Sequence, residues 1–190
     1  KEGELLPETY HFSFGDKRKD LVRRMKASMT SLSKELWSLR KPGLPISNWE
    51  EAIILASMVE KETGKIGERA RVAGVFINRL KLGMRLQSDP TVIYGLTKGL
   101  RSLGRPLSRK DLKTPNPYNT YTKKGLPPGP ISNPGRASIE AVLNPIETKE
   151  LYFVSDGKGG HTFSITLTDH NKNVKVLRKL ESNLKKETKD

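Results

Sequence analysis

The sequence predicts an α+β fold that is mainly helical, with a late β-hairpin and long loops rich in proline and glycine. Apolar residues recur at helical spacing through most of the first half of the chain. Two short runs of aromatic and β-branched residues come late and flank a glycine-rich turn, which predicts a hairpin. Residues 97–134 are dense in Gly, Pro and Asn, which indicates loop. Helices first and strands last is an order typical of α+β domains.

The first predicted helix follows a short extended segment, residues 1–15. It covers 16–39 and carries an apolar stripe at helical spacing, formed by Leu21, Met25, Met29 and Leu32. The Pro- and Gly-containing run 41–45 ends it. Ser47 or Asn48 then caps a second helix from Trp49 to about Glu62.

A third helix is predicted over 68–82, followed by Gly83 as a stop. Asp89 is expected to cap a short helix that ends at Tyr94, with Pro90 at its first position. After the loop region come a helix over 135–143 and strands over 151–154 and 162–165. Thr168 or Asp169 is expected to cap the last helix.

Length and composition limit what the protein can be. A chain of 190 residues suits one domain with a small appendage, and we divide it into 1–15, the end of an N-terminal subdomain or a linker strand, and 16–190, a catalytic domain. The absence of cysteine excludes disulfides and thiolate nucleophiles. No apolar run approaches 18 residues and no signal peptide is visible; the abrupt start leaves room for an upstream anchor.

The net charge of +14 suits an anionic partner such as a nucleic acid, a membrane surface or an acidic polymer. Part of the excess lies in the lysine-rich tail, 172–189, which also fits a solvated helix face. We expect no nucleic acid, because only 6% of residues are aromatic and none is set among the basic residues as a stacking platform. The three histidines match no metal motif, so neither a metal nor another cofactor is expected.

Glu60 is the candidate catalytic residue. On a helical wheel it shares a face with Trp49, Ile53 and the small residues Ala56 and Ser57, which leave space one turn before it. A carboxyl facing an apolar gap is kept protonated, as a general acid acting on a glycosidic oxygen must be. The alternative is a pair of helix-terminal glutamates, Glu60 and Glu62, bound to Lys61, Arg69 or Arg71.

Polar loop segments provide the candidate substrate-binding residues. Amide, hydroxyl and tyrosine side chains on proline-stiffened turns suit sugar hydroxyls and N-acetyl groups. Taken singly, each of these residues also fits a cap or turn role. The candidates are Gln87, Ser88, Asp89, Tyr118, Asn119, Thr120, Tyr121 and Asn133.

Six blocks in the chain together resemble the endolytic murein transglycosylase family, whose members have also been labelled aminodeoxychorismate lyase-like. In order they read ASMVEKET, RVAGVFINRL, GMRLQSDPTVIYG, PYNTY, GLPPGPISNPG and LYFVSDGKGGHTFS. The resemblance covers roughly residues 1–175. No Schiff-base lysine with a phosphate cup is recognisable, so pyridoxal phosphate chemistry is not expected.

The resemblance implies a lysozyme-like catalytic core and a lyase that cuts the β-1,4 bond between N-acetylmuramic acid and N-acetylglucosamine without water. It implies 1,6-anhydro ends and the termination of nascent glycan strands. It assigns the family's catalytic glutamate to Glu60, and more loosely a substrate-facing glutamine to Gln87 and a Tyr-Asn pair to Tyr118 and Asn119. It also implies a single-pass anchor in the inner membrane that lies outside this chain, a periplasmic catalytic domain, and penicillin-binding proteins as partner synthases.

Two other functions stay open at this stage. A hydrolytic muramidase would need a second carboxylate, for which Asp89 and Glu62 are the candidates. Asp89 is expected to be committed to capping, which counts against this function. A non-catalytic peptidoglycan-binding or scaffold module would tolerate replacement of Glu60.

Overall fold

The structure, a computed structural model, describes the backbone of residues 1–187 and the side chains of residues 1–183; the last three positions of the predicted domain 16–190 lie outside it. Seven helices and one hairpin are present in this part of the chain. In order they are α1 (Arg18–Trp37), α2 (Trp49–Glu62), α3 (Ile66–Lys81), α4 (Asp89–Thr97), α5 (Arg109–Lys113), α6 (Arg136–Leu143), β1 (Tyr152–Ser155), β2 (His161–Ser164) and α7 (Leu167–Glu187). The predicted α+β class is confirmed.

Helix α2 forms the centre of the core. Asn48 caps it by accepting a hydrogen bond from the Glu51 N–H at 2.9 Å. All residues from Ala52 to Val59 except Ile54 are buried, so α2 is covered on nearly every side. It packs against α3 and α6. Helix α1 closes the core from outside through Met29 and Leu32 of the predicted stripe and through Leu36, which was not predicted, while Leu21 and Met25 are only partly buried.

Helix α3 lies unusually close to the chain that follows α6. A Cβ added at Gly74 would stand 2.7 Å from the backbone oxygen of Ile146, so only glycine permits this approach. The Ile146 N–H donates to the Ala70 carbonyl at 3.1 Å beside it. This contact places the start of the hairpin segment against α3.

The hairpin is antiparallel, with Tyr152 opposite Ser164 and Ser155 opposite His161. Each strand is shifted by one residue from its predicted bounds. Helix α7 packs against both strands, and the His170 ring stacks on Tyr152 with centroids 5.2 Å apart. The N-cap of α7 is Thr166, whose hydroxyl accepts a hydrogen bond from the Asp169 N–H at 3.1 Å, so the prediction of Thr168 or Asp169 as the cap was wrong.

Four other predictions of local structure need correction. Helix α3 begins at Ile66, two residues early, and α4 continues to Thr97. Asp89 does not cap α4, because Ser88 occupies the cap position and Asp89 is the first helical residue. The loop region contains the unpredicted helix α5, started by a capping box between Ser108 and Asp111.

None of the helices within residues 1–187 combines the length and the apolar content that a membrane span requires.

Candidate active site

A cleft of about 540 Å³ opens beside the C-terminal end of α2. Its inner wall comes from α2, α3 and the start of α4, and its outer wall from the hairpin and α7. The polar side chains at its base include Glu62, Arg79, Gln87, Asp89 and Tyr121. Three of the predicted site residues therefore meet here, together with Glu62.

Glu62 has the most perturbed carboxyl in this cleft. Its side chain stays partly accessible from the cleft, but the surrounding protein atoms remove most of its water. This desolvation raises the pKa of Glu62 to about 7, and the nearby charge of Asp89 adds to the rise, while the Ser88 hydroxyl and Arg79 oppose it. At neutral pH Glu62 therefore has substantial populations of both the acid and the carboxylate form.

The Ser88 hydroxyl orients Glu62 by donating to Oε1 at 2.5 Å. Ser88 is itself fixed, since its N–H donates to the Thr120 hydroxyl at 3.0 Å, and Thr120 is buried against Thr91. Gln87, the preceding residue, has a φ of +53°, a left-handed conformation that is costly for a residue with a side chain. Thr120 also supports that residue, because its carbonyl accepts from the Gln87 N–H at 3.2 Å.

Asp89 and Tyr121 form a second polar pair in the cleft. The Tyr121 hydroxyl donates to Asp89 Oδ1 at 2.5 Å. Burial, together with Asp89, raises the pKa of Tyr121 well above its ordinary value, so the phenol remains a donor. The capping role expected for Asp89 was wrong, and its carboxylate is available to the cleft instead.

Arg79 holds the base of the cleft together. It is 7% exposed, yet it donates to the carbonyls of Leu151, Arg85 and Leu86 and to Gln87 Oε1. Desolvation lowers its pKa from the usual arginine value, which still leaves it charged at neutral pH. Arg79 therefore ties the hairpin to the strained Gln87 loop and places a positive charge near Glu62.

Glu60 lies outside this cleft. A step of two residues along a helix changes the direction of the side chain by about 200°, so Glu60 and Glu62 point to different sides of α2. Glu60 accepts from Arg69 at 3.1 Å, from the Gly135 N–H at 3.1 Å and from the Ser138 hydroxyl at 2.7 Å. These donors replace the expected apolar gap, and the carboxylate fixes the start of α6 against α2 and α3.

The other predicted substrate-binding residues are dispersed. Asn119 is buried and donates to three carbonyls, those of Asp111, Leu112 and Thr114, so it stabilises the loop around α5. The Tyr118 ring packs against Tyr94 with centroids 4.7 Å apart and planes inclined by 55°, away from the lining of the Glu62 cleft. Asn133 accepts from the Leu5 N–H at 3.1 Å and borders a different cavity.

The two histidines of the cleft differ in their hydrogen bonding, since the buried Nδ1 of His170 has no partner among the described residues. His161 shares a hydrogen bond of 2.9 Å with Glu68, and desolvation, assisted by Arg79, lowers the pKa of His170. Among the described residues, no three His, Cys, Asp or Glu side chains converge as metal ligands would.

Comparison with known proteins identifies the family to which this chain belongs. The model of the YceG-like family matches residues 1–176. The chain belongs to this family. The predicted resemblance is thereby confirmed.

The YceG-like chain has curated relatives that carry the name endolytic murein transglycosylase. The Bacillus subtilis protein is 39% identical over 173 residues, which is 90% of this chain and 46% of that protein. The Streptococcus pneumoniae D39 protein is 34% identical over 180 residues, 91% of this chain and 31% of that protein. A crystal structure described as a putative yceG-like protein from Listeria monocytogenes superposes with a TM-score of 0.72 at 36% identity, covering 90% of this chain and 54% of that one. The chain spans about half or less of the length of these relatives.

Sequence reasoning underestimated two residues of this YceG-like cleft. Glu62 was considered only as one of two helix-terminal glutamates or as the second carboxylate of a muramidase, because the helical wheel gives apolar neighbours to Glu60 as well. Arg79 was overlooked. It lies two helical turns after Val72, on the buried face of α3, and a charged residue in that position indicates a buried polar role. The hairpin and α7 residues of the outer wall carried no such signal.

Proposed function

We propose that this chain is the catalytic part of an endolytic peptidoglycan lytic transglycosylase, with Glu62 as its acid and base. The observation that carries the proposal is the Glu62 carboxyl, desolvated in a polar cleft and oriented by Ser88. The names of the Bacillus and Streptococcus relatives support the reaction class.

The chemistry needs one carboxyl that changes its protonation state. The acid form of Glu62 donates its proton to the departing O4 of N-acetylglucosamine as the bond from C1 to O4 breaks. The C6 hydroxyl of the N-acetylmuramic residue forms a new bond to C1, and the Glu62 carboxylate removes the proton of that hydroxyl. The products are a 1,6-anhydro end and a new non-reducing end, no water is consumed, and Glu62 is protonated again.

The neighbouring residues fit supporting roles in this reaction. A pKa of about 7 lets Glu62 act as acid and then base at neutral pH. Arg79 favours the carboxylate that exists between the two proton transfers. Gln87, Asp89 and Tyr121 present amide, carboxylate and hydroxyl groups to a sugar, while Ser88 and Thr120 hold that loop in place.

Glu60, the glutamate predicted first, is retained in this proposal as a positioning residue and as the alternative catalytic candidate. Its three donors explain a structural role without invoking substrate. The wider proposal includes a lysozyme-like core in residues 16–190 and residues 1–15 as the end of a preceding subdomain or a linker strand. It also includes a single-pass anchor in the inner membrane, a periplasmic catalytic domain that terminates nascent strands, and association with penicillin-binding proteins.

Mass spectrometry of the products from purified peptidoglycan strands tests the reaction and the residue together. Wild type should yield anhydro ends, Glu62→Gln none, and Glu60→Gln a measurable amount from whatever fraction remains folded. Loss of activity in a well-folded Glu60→Gln, with activity retained in Glu62→Gln, would return the assignment to Glu60. Binding of strands without cleavage, by wild type and Glu62→Gln alike, would support the non-catalytic module instead.

A hydrolytic muramidase is the second candidate, favoured by the release of Asp89 from capping. Asp89 and Glu62 line the same cleft, and the charge of Asp89 contributes to the raised pKa of Glu62. A hydrolytic glycosidase uses two carboxyls in this way, one as acid and one as base or nucleophile. This reaction would leave reducing ends in the same spectra. It would also incorporate oxygen from labelled water, which a transglycosylase product does not contain.

A further inference from the structure

A second cavity lies on the other side of the ridge formed by the end of α2 and the start of α4. It measures about 600 Å³. Glu62 and Asp89 line the cleft, whereas their chain neighbours Lys61 and Pro90 line this cavity. Since consecutive Cα atoms are about 3.8 Å apart, the two sites adjoin along both elements.

The lining of this cavity combines three kinds of group. The exposed cations Lys61 and Arg101 provide positive charge, and Glu2, which lies beside Tyr94 and Gly99, provides a negative charge. The apolar surface comes from Ile93, Ile131 and the Tyr94 ring. The remaining polar groups are hydroxyls and an amide, from Ser102, Ser132 and Asn133.

Tyr94 is held in a defined position within this cavity. Its ring packs on Tyr118 with centroids 4.7 Å apart, and the Lys98 ammonium lies 4.7 Å from the Tyr118 centroid on the same cluster. Burial raises the pKa of Tyr94 to about 12, with Glu2 and Tyr118 contributing, so its hydroxyl keeps its proton. The cavity therefore offers a fixed aromatic surface with a donor at its edge.

We propose that this cavity binds the peptide branch of the glycan strand, as a short peptide that carries both a carboxylate and an amino group. Lys61 and Arg101 meet the carboxylate, Glu2 meets the amine, and Tyr94 with the two isoleucines packs against small side chains such as alanine methyls. A neutral sugar alone has no group that would pair with either charge in this cavity. The assignment of the peptide to a glycan strand rests on the proposed function, but peptide binding itself does not require catalysis.

The test uses the synthetic peptide Ala-Glu-Lys-Ala-Ala and its C-terminal amide, titrated into the protein by NMR and by calorimetry. We expect the acid to bind wild type and to shift the Tyr94 ring signals, and the amide to bind several-fold more weakly. The double variant Lys61→Ala with Arg101→Ala should lose roughly tenfold in affinity. The charge-matched control, Lys81→Ala with Arg178→Ala, alters exposed cations elsewhere and should bind as wild type does.

The results separate this proposal from the catalytic one. Glu62→Gln should bind the peptide normally, so binding with no cleavage by any variant would leave the peptide site standing and refute only the reaction. Absence of binding by wild type, equal loss in both double variants, or shifts confined to cleft residues such as Tyr121 would overturn the peptide site whatever the enzyme assay shows.

Discussion

Replacing Glu62 by glutamine should make the fold more stable at alkaline pH while it abolishes cleavage. A rise in the pKa of Glu62 from 4.5 to about 7 means that the folded protein holds the proton more tightly than the unfolded chain does. Between these two values the native state binds more protons, so the stability of wild type falls as pH rises through that window. The full penalty, about 3 kcal/mol, is present above pH 7.

Glutamine keeps the shape of the side chain and cannot ionise. It also keeps an oxygen that can accept from the Ser88 hydroxyl, which limits the loss of contacts. The free energy of unfolding of Glu62→Gln relative to wild type should therefore increase by up to about 3 kcal/mol between about pH 4.5 and pH 8. The direction is opposite to that of most single substitutions, which destabilise.

Urea unfolding at a series of pH values between these limits measures the effect, with the free energy taken from midpoint and slope. Glu60→Gln is the matched control, because it makes the same chemical change two residues away. This substitution removes the negative charge that accepts hydrogen bonds from Arg69 and two other donors. It should therefore destabilise the fold by roughly 2 kcal/mol at neutral pH. A stability difference for Glu62→Gln that does not change with pH, or one that falls towards pH 8, would refute the electrostatic reasoning.

Three further predictions follow from individual contacts. Gly74→Ala should destabilise the fold by about 2 kcal/mol in urea unfolding, because the new Cβ would stand 2.7 Å from a backbone oxygen, whereas Gly67→Ala in the same helix meets nothing within 4 Å and should not. Ser88→Ala removes a hydrogen bond that lowers the pKa of Glu62, so the alkaline decline of kcat/KM should move to higher pH, and an unmoved decline would separate Ser88 from the acid. Asn119→Ala should cost about 2 to 3 kcal/mol of stability, since three carbonyls lose their donor, with kcat and KM of the folded fraction unchanged.

Local patterns were sufficient for most of the helices. The periodic segments of α1, α2 and α3 and the hairpin around 156–160 were predicted within about three residues, because hydrophobic spacing and turn residues act over short distances. Helix α5 was missed despite its Ser108 capping box, since the surrounding density of Gly and Pro indicated loop. The cap positions at Ser88 and Thr166 were each displaced by a residue or more from the prediction, because several adjacent residues can cap.

The choice between two glutamates could not be made from local sequence. Helix α2 is buried almost all round, so the wheel gave both Glu60 and Glu62 apolar neighbours. What distinguishes them is contact with distant parts of the chain. Ser138 comes 78 residues after Glu60, and Ser88 comes 26 residues after Glu62. The same limit applies to the cleft as a whole, since its outer wall lies 90 or more residues beyond α2 in the chain.

That late outer wall has a consequence for how the protein is made. The hairpin and α7 supply the lining between Tyr152 and Leu177, whereas Glu62, Ser88 and Tyr121 are synthesised well before it. Until this segment docks, the cleft lacks its outer wall, and any share of the Glu62 desolvation that the hairpin and α7 provide is absent. The cleft that we propose for catalysis is therefore completed by the last elements of the described chain to be synthesised, so a truncated or partly folded chain would carry Glu62 without the full lining of its site.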